Sequence, residues 1–348
     1  MRRRALGLAA AWAVACARPE TNAAPDARTV CPVQLSDGQY RMGTVLEVTL
    51  CAPDRATGER LLRETFEGVA ALEQSFSSFD PKSELSALNR AAGRGPQRVS
   101  SALLRLTADS LALSTETDGS FDVTVGPLVA LWKAASDSQR LPPAAELLAA
   151  RARVGGAGVA VDAAAGTVEL RRAGASLDFG GIAKGWALDR AGERLRAAGV
   201  TRALLSFGES SILAIGSAPG WDGWGIALTD ASGAFAGTVE LRDVSLSTSG
   251  SLGQYVEIEG RRYGHVIDPR SGEPLSRARV AVVLAADGAQ AEALSKALLI
   301  LGEQAGVAKV ESAGAQGLLL DESGAHVETA GWAGASHYAR DWPPRKSK

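Results

Sequence analysis

Apolar and polar positions alternate over residues 42–50, from Met42-Gly43-Thr44-Val45 to Val48-Thr49-Leu50, which predicts a strand. The period then changes. Leu62, Phe66, Val69, Leu72 and Phe76 share one face of a helix over 59–76. A loop holding the turn pair Asp80-Pro81 leads into a short helix at Leu85 and Leu88, with Ser83 as its cap. Residues 100–116 carry leucines on several sides, the mark of a buried helix. The run from Thr117 to Trp132 mixes a turn, an aromatic, a carboxylate and Gly126-Pro127, and reads as a loop. Residues 136–153 are polar with Pro142-Pro143 and then Ala-rich, an exposed excursion ending in a helix. A strand over 167–170 precedes a helix whose Ala187, Leu188, Ala191, Leu195 and Ala198 keep the helical period as far as Gly199. Strands follow at 203–207, 212–215, 225–228 and 238–241. Ser247-Thr248-Ser249-Gly250 reads as a hydroxyl-rich turn, and 255–259 as a strand turning at Glu259-Gly260. A strand over 280–284, a helix over 289–302 with Leu294, Ala297, Leu298 and Leu301 inward, and a last core strand over 317–320 complete the pattern. Strands and helices interleave, with hairpin-like pairs in the middle and no internal repeat. The class is α+β (mixed α/β).

With 348 residues, 46% hydrophobic and 22% charged, the chain can bury a sizeable core. Its formal net charge is −2 and no dense Lys/Arg stripe appears, which argues against nucleic acid as a partner. The amino terminus changes the picture more. Arg2-Arg3-Arg4 precede an apolar run over 5–15, too short to span a bilayer, which is the pattern of a secretory signal. Ala13-Val14-Ala15-Cys16 is similar to a bacterial lipobox, with Ala13 where Leu is usual, and would make Cys16 the lipidated first residue of the mature protein. Ordinary cleavage near Ala15 or Ala17 is the competing reading. The organisation expected is a signal at 1–16, a flexible tether at 17–34, a folded domain at 35–330 and a tail at 331–348. Trp332 and Trp342 suit a packed strap, while Arg345, Lys346 and Lys348 suit a surface-binding end. The expected location is the periplasmic side of a bacterial inner membrane, with membrane contact only through a lipid anchor at Cys16. Cys31 and Cys51 could pair there, and Cys51 equally suits a small buried hydrophobe.

Candidate chemistry centres on Leu177-Asp178-Phe179-Gly180-Gly181-Ile182-Ala183-Lys184. A Gly-Gly pair ahead of a helix lets backbone N–H groups approach an anion at the positive end of the helix dipole, and Lys184 adds a point charge for phosphate. The same residues also suit a plain strand–turn–helix corner with a solvated lysine. His265, followed by Asp268, is one of three histidines. A lone His is more often structural, but the nearby carboxylate and hydroxyls favour a site. No Cys or His spacing suits a metal.

Taken together, these runs resemble the ApbE family, the FAD:protein FMN transferases. The matching pieces come in the family's order: Met42-Gly43-Thr44; Ser83-Glu84-Leu85 with Leu88-Asn89; Asp118-Gly119-Ser120-Phe121-Asp122-Val123-Thr124 with Gly126-Pro127-Leu128; Leu177-Asp178 with Gly180 to Gly185 and Asp189; Ser247 to Gly250; and His265-Val266-Ile267-Asp268-Pro269 with Gly272. No single piece is specific; the order is. The resemblance implies an ApbE-like fold with antiparallel-rich sheets and flanking helices. It also implies a magnesium-dependent transferase outside the cytoplasm that splits FAD at its pyrophosphate. FMN is attached through a phosphoester to a Thr or Ser of a target flavoprotein, and AMP is released. By the same resemblance Met42, Phe79, Ser120, Phe121, Asp122, Asp178, Lys184, Val266 and Ile267 would contact FAD, Gly181 would offer its carbonyl to Mg2+, and His265 and Asp268 lie near the chemistry.

The chain departs from the family where the metal helix normally reads Asp-x-x-x-Thr. The aligned residues are Glu292-Ala293-Leu294-Ser295-Lys296. Glu292 and Ser295 still offer oxygen, but a protonated Lys296 has no lone pair to give. Four residues apart, Glu292 and Lys296 could instead pair with each other. Phe79 stands where a Tyr is common, and Gly208-Glu209 replaces a Gly-Gly. The alternative to a transferase is therefore a flavin-binding relative without transfer activity, either an FAD hydrolase or a non-catalytic binder.

Overall fold

A computed structural model describes residues 31–336. The expected signal, the lipobox with Cys16, most of the tether, and Trp342 with the basic end lie outside the described residues.

Strands β1 (Val33–Arg41) and β2 (Thr44–Ala52) pair with Arg41 opposite Thr44. Met42 and Gly43 are therefore a two-residue turn, with φ of 47° and 81°, the mirror-image turn whose twist matches its strands. The strand expected to start at Met42 starts at Thr44. Cys31, just ahead of β1, is bonded to Cys51 of β2, so contacts of the fold reach into residues assigned above to the tether.

Helix α1 (Arg55–Phe76) begins at Asp54, whose carboxylate caps the Thr57 N–H at 2.8 Å, and it buries Leu62, Phe66, Val69, Leu72 and Phe76. Ser83 caps α2 (Glu84–Arg90). The short β3 (Gln97–Arg98) leads to α3 (Ser101–Glu116), capped by Ser100. The run expected to be a loop contains a 3₁₀ turn and then α4 (Gly126–Ser138). Pro127 sits in its first turn, where the missing N–H costs nothing. After α5 (Ala144–Arg151), β4 (Val159–Asp162) and β5 (Thr167–Leu170) join β3 in a three-stranded sheet.

Beyond α6 (Ala183–Ala197) come β6 (Ala203–Phe207), β7 (Ser211–Ile215), the hairpin β8 (Trp224–Thr229) and β9 (Phe235–Leu241), and β10 (Ser245–Gly250). The hydroxyl-rich run expected to be a turn is thus the interior of a strand. A second hairpin, β11 (Tyr255–Ile258) and β12 (Arg261–Gly264), precedes β13 (Arg279–Ala285). Helix α7 (Gly288–Ser312) outruns its expected end because helical geometry resumes after a break at Gly302, whose φ is 76°. Strand β14 (Gln316–Asp321) is followed by one further strand, β15 (His326–Glu328), and by α8 (Trp332–Ser336).

Among the described residues the main sheet has eight strands in the order β1-β2-β6-β7-β10-β13-β14-β15, and every neighbouring pair is antiparallel. Both faces are covered. Leu213 and Ile215 of β7 pack with α1 and α6, while Ile212 and Ala214 point to the β8–β9 hairpin. Likewise Ala281 and Val283 of β13 meet Leu294 and Leu298 of α7, and Val280 and Val282 face the other way. Strands buried on both faces read as continuous apolar runs, which is why these were legible. Trp332, in the segment set apart as a tail, is wholly buried in the hairpin-side core.

Two helix starts meet backbone to backbone. A Cβ on Gly288 would lie 2.6 Å from the Gly185 carbonyl oxygen, so α6 and α7 can cross this closely only where both residues are glycine. Asp189 of α6 locks the crossing by accepting the N–H groups of Gly288 and Ala289, at 2.6 and 3.0 Å.

Candidate active site

The loop entering α6 is pinned before it reaches Gly181. The Asp178 N–H donates to the Val123 carbonyl at 2.7 Å, and Asp178 Oδ1 accepts the Gly180 N–H at 2.7 Å. Burial raises the Asp178 pKa above the ordinary value, and the Gly180 N–H works against that. Three elements converge on Gly181. A Cβ there would lie 3.6 Å from Lys296 Cε and 3.7 Å from Phe121 Cε2. Lys184, in the first turn of α6, donates from Nζ to Ser210 Oγ. Ser210 follows Gly208 and Glu209, both left-handed, in the turn from β6 to β7. Gly208 packs against Thr44 and donates its N–H to the Val45 carbonyl at 2.9 Å, which sets the Met42–Gly43 turn alongside. The Met42 N–H is itself held by Glu73 Oε1 at 2.6 Å.

Beneath Lys184 lies Glu292 of α7, 1% exposed. Its Oε1 accepts the Gly185 N–H at 2.9 Å and the Ser211 hydroxyl; its Oε2 accepts Lys296 Nζ at 2.9 Å. Burial alone would raise the Glu292 pKa, but Lys296, Lys184 and the Ser211 hydroxyl together hold it below the usual value. The pairing of Glu292 with Lys296 at four-residue spacing is the one the sequence allowed. Ser295 turns to the sheet, within 3.1 Å of Ser247 Oγ and 2.8 Å of Ser249 Oγ. These bonds satisfy the Ser247 and Ser249 hydroxyls inside a central strand. Lys184 is pulled below the usual lysine pKa by burial and by Lys296, with Glu292 opposing.

His265 directly follows β12. Its Nδ1 lies 3.1 Å from the Gln254 carbonyl. A carbonyl only accepts, so Nδ1 carries the proton and Nε2 keeps its lone pair. Loss of hydration lowers the His265 pKa; Lys296 and Lys184 lower it further against the Gln254 bond. Asp268 is not joined to His265. Its two oxygens hold Arg270, at 2.9 Å to Nε and 2.8 Å to Nη2, and shape the turn ahead of Gly272. Val266 is buried among residues of β13 and α7, and Ile267 bridges to Pro274.

The other sequence candidates divide. Phe121 is buried and forms a wall beside Gly181. Ser120 and Asp122 support that wall: Ser120 Oγ donates to the Thr117 carbonyl, and Asp122 Oδ1 accepts from Thr124 N and Oγ1. Phe79 stands 91% exposed on the loop after α1. Sequence reasoning missed Ser210, Ser211, Glu73 and Gln254. The two serines follow Gly208-Glu209 in plain view, but a hydroxyl has no period or motif that says which way it points.

What converges is two ammoniums over one buried carboxylate, a neutral imidazole and an aromatic wall around a glycine turn at a helix start. Two ammoniums at the positive end of a helix suit a diphosphate, and a lone pair at Nε2 suits proton transfer. Among the described residues, no three or more His, Cys, Asp or Glu side chains are grouped to hold a metal.

The ApbE family model matches residues 42–319. An FAD:protein FMN transferase of Klebsiella pneumoniae (strain 342) is 31% identical over 271 residues, spanning 76% of this chain and 77% of that protein. One from Salmonella typhimurium (strain LT2) is 31% identical over 290 residues, 81% and 82% of the two chains. Among solved structures, the flavin transferase ApbE from Vibrio cholerae superposes with a TM-score of 0.76 at 25% identity, over 87% of this chain and 99% of that one. The Pseudomonas stutzeri flavinyl transferase ApbE, in its apo form, gives 0.77 at 29% identity over 87% and 97%.

Proposed function

The chain belongs to the ApbE family, and from that premise we propose that it is an FAD:protein FMN transferase. It moves FMN from FAD to a Thr or Ser of a target flavoprotein and releases AMP. The observation that carries this reading is Lys296 and Phe121 set against the Gly181 turn, with Lys184 in the helix turn that follows and His265 near enough to both lysines to feel their charge. In the proposed reaction the acceptor hydroxyl oxygen bonds to the phosphorus of the FMN half. The P–O bond to AMP breaks, AMP leaves with the electron pair, and His265 Nε2 takes the hydroxyl proton. Lys184 and Lys296 hold the diphosphate and its developing charge. Asp178 and Phe121 shape the pocket, Met42 and Phe79 border it from the β1–β2 turn and the loop after α1, and Val266 and Ile267 back His265. Asp268 acts as a positioning residue, through Arg270 and the turn that carries His265.

Magnesium, implied by the family, does not fit the residues present. It takes near-octahedral oxygens at about 2.0–2.1 Å. Both Glu292 oxygens are committed, Ser295 is hydrogen-bonded to two serines, and Lys296 points a cation at the carboxylate a metal would need. None of the steps above requires the ion.

We further propose that the protein works outside the cytoplasm, tethered through the residues ahead of Cys31 and, when cleaved at the lipobox, through lipid on Cys16. The signal-like start supports this, as does the Cys31–Cys51 bond, of a kind that persists in oxidising compartments. The test of function is incubation with FAD and a Thr-containing acceptor domain, followed by mass analysis of the acceptor and assay of AMP. Addition of one FMN with equal release of AMP is expected. AMP release without labelled acceptor would replace the transferase by an FAD hydrolase, and intact bound FAD by a flavin binder.

A further inference from the structure

We propose that the Lys296 ammonium, seated on Glu292 beside Lys184, takes the place of a divalent cation, so that this protein binds FAD without metal. The proposal rests on the reading of this cleft as an FAD site and concerns what neutralises the diphosphate there. Glu292 is 1% exposed and cannot remain ionised in such a place without a partner. Its bonds form a closed set. One oxygen takes a backbone N–H and a hydroxyl, and the other takes Lys296 Nζ at 2.9 Å. A dication could enter only by displacing that ammonium into a cleft that already holds Lys184, and every neighbouring cation would oppose it. The longer Glu side chain and the Lys therefore act as one unit: the carboxylate sits at the base and the ammonium stands above it, 18% exposed and within reach of the cleft.

Geometry places that ammonium where the diphosphate is expected. Lys296 Cε is next to the Gly181 turn, and Lys184, in the first turn of α6, lies close enough for the charge of Lys296 to lower its pKa. One buried carboxylate against two ammoniums leaves net positive charge, which a diphosphate neutralises. A lysine is a point charge with three donors and serves phosphate without demanding the ligand geometry of magnesium. The Ser247–Ser295–Ser249 contacts fix the helix turn between Glu292 and Lys296 against the sheet, so the ammonium is held in place before the ligand arrives.

The experiment measures FAD affinity of the purified protein by fluorescence quenching, in EDTA and in Mg2+ at constant ionic strength. The wild type is expected to bind FAD in EDTA, with Mg2+ changing affinity by no more than about twofold, since constant ionic strength keeps screening the same in both arms. Lys296→Met is expected to weaken binding about 10- to 100-fold, the worth of one charged hydrogen bond, with no rescue by Mg2+. Lys296→Arg should retain most of the affinity. The double change Glu292→Asp with Lys296→Thr is expected to make binding depend on Mg2+. Wild-type binding that disappears in EDTA and returns with Mg2+ would overturn the proposal alone, whether or not any variant folds. Lys296→Met binding as tightly as wild type in EDTA would overturn it as well. Wild-type protein that binds no FAD with or without Mg2+ would instead overturn the reading of the cleft on which it rests.

Discussion

The neighbours of His265 set two separate properties of its ring, the tautomer and the charge. The Gln254 carbonyl fixes the tautomer and leaves Nε2 free, while desolvation and the charges of Lys296 and Lys184 keep the ring neutral below its ordinary pKa of 6.5. A base works only while unprotonated, so activity is lost as pH falls through this lowered pKa. The acid limb of kcat/KM is therefore expected below pH 6.5. Lys296→Met removes one of the opposing charges and should move that limb to higher pH. His265→Gln should cut kcat by roughly 10²- to 10⁴-fold while FAD binding persists. An acid limb that stays put in Lys296→Met would show that the lysine does not act on the imidazole. At this scale the sequence exposed what is local. Lys184 at a helix start and Glu292 four residues before Lys296 were legible because the helical period alone sets their direction. The bond from His265 to Gln254, and the capture of Asp268 by Arg270 in place of any pairing with His265, depend on how a loop folds back, and no spacing encodes that.

The site is built where α6 and α7 cross, and the crossing has its own pH dependence. Asp189 holds the first N–H groups of α7, yet burial raises its pKa from 3.8 to about 7 against the pull of those same N–H groups. Between these values the folded protein keeps a proton that the unfolded chain releases. This contribution to stability is full below pH 4, declines as pH rises to 7 and is gone above it. Asp189→Asn cannot ionise and still offers an oxygen to one N–H. Its stability should therefore change less than wild type between pH 4.5 and 7.5, measured by urea denaturation, and parallel curves would refute the argument. The elements themselves were legible in proportion to their burial. Helices α1 and α6 show a clean period because each packs one face, while α3 and the strands β7 and β13, buried on more than one side, stand out as apolar runs. Strand β1 did not, since Ser36, Asp37 and Gly38 lie exposed along a sheet edge and break its alternation. Helix α4 was hidden behind a Gly-Pro pair that reads as a loop although Pro suits a first turn, and β10 behind serines that bond to Ser295.

At the scale of the molecule, one antiparallel sheet carries the site at one end of its edge hairpin and the disulfide at the other. The Met42–Gly43 turn closes one end of β1 and β2, beside the Gly208 turn, while Cys31 and Cys51 join the opposite end of these nine-residue strands, about 30 Å long. Nothing in the bonds around Lys184, Glu292 or His265 passes through the cysteines. Stability and binding should therefore separate. Replacing both cysteines by Ser is expected to cost about 2–4 kcal/mol, since the bond closes a loop of modest length, and to be read as a lower urea midpoint. FAD affinity of the folded protein should stay within about twofold, because an edge hairpin already paired along its whole length keeps the Met42 turn in place without the cross-link. A parallel loss of affinity would mean that the hairpin frays as a unit once the bond is gone. The disulfide would then secure the cleft as well as the sheet edge, and reducing conditions would switch flavin binding off.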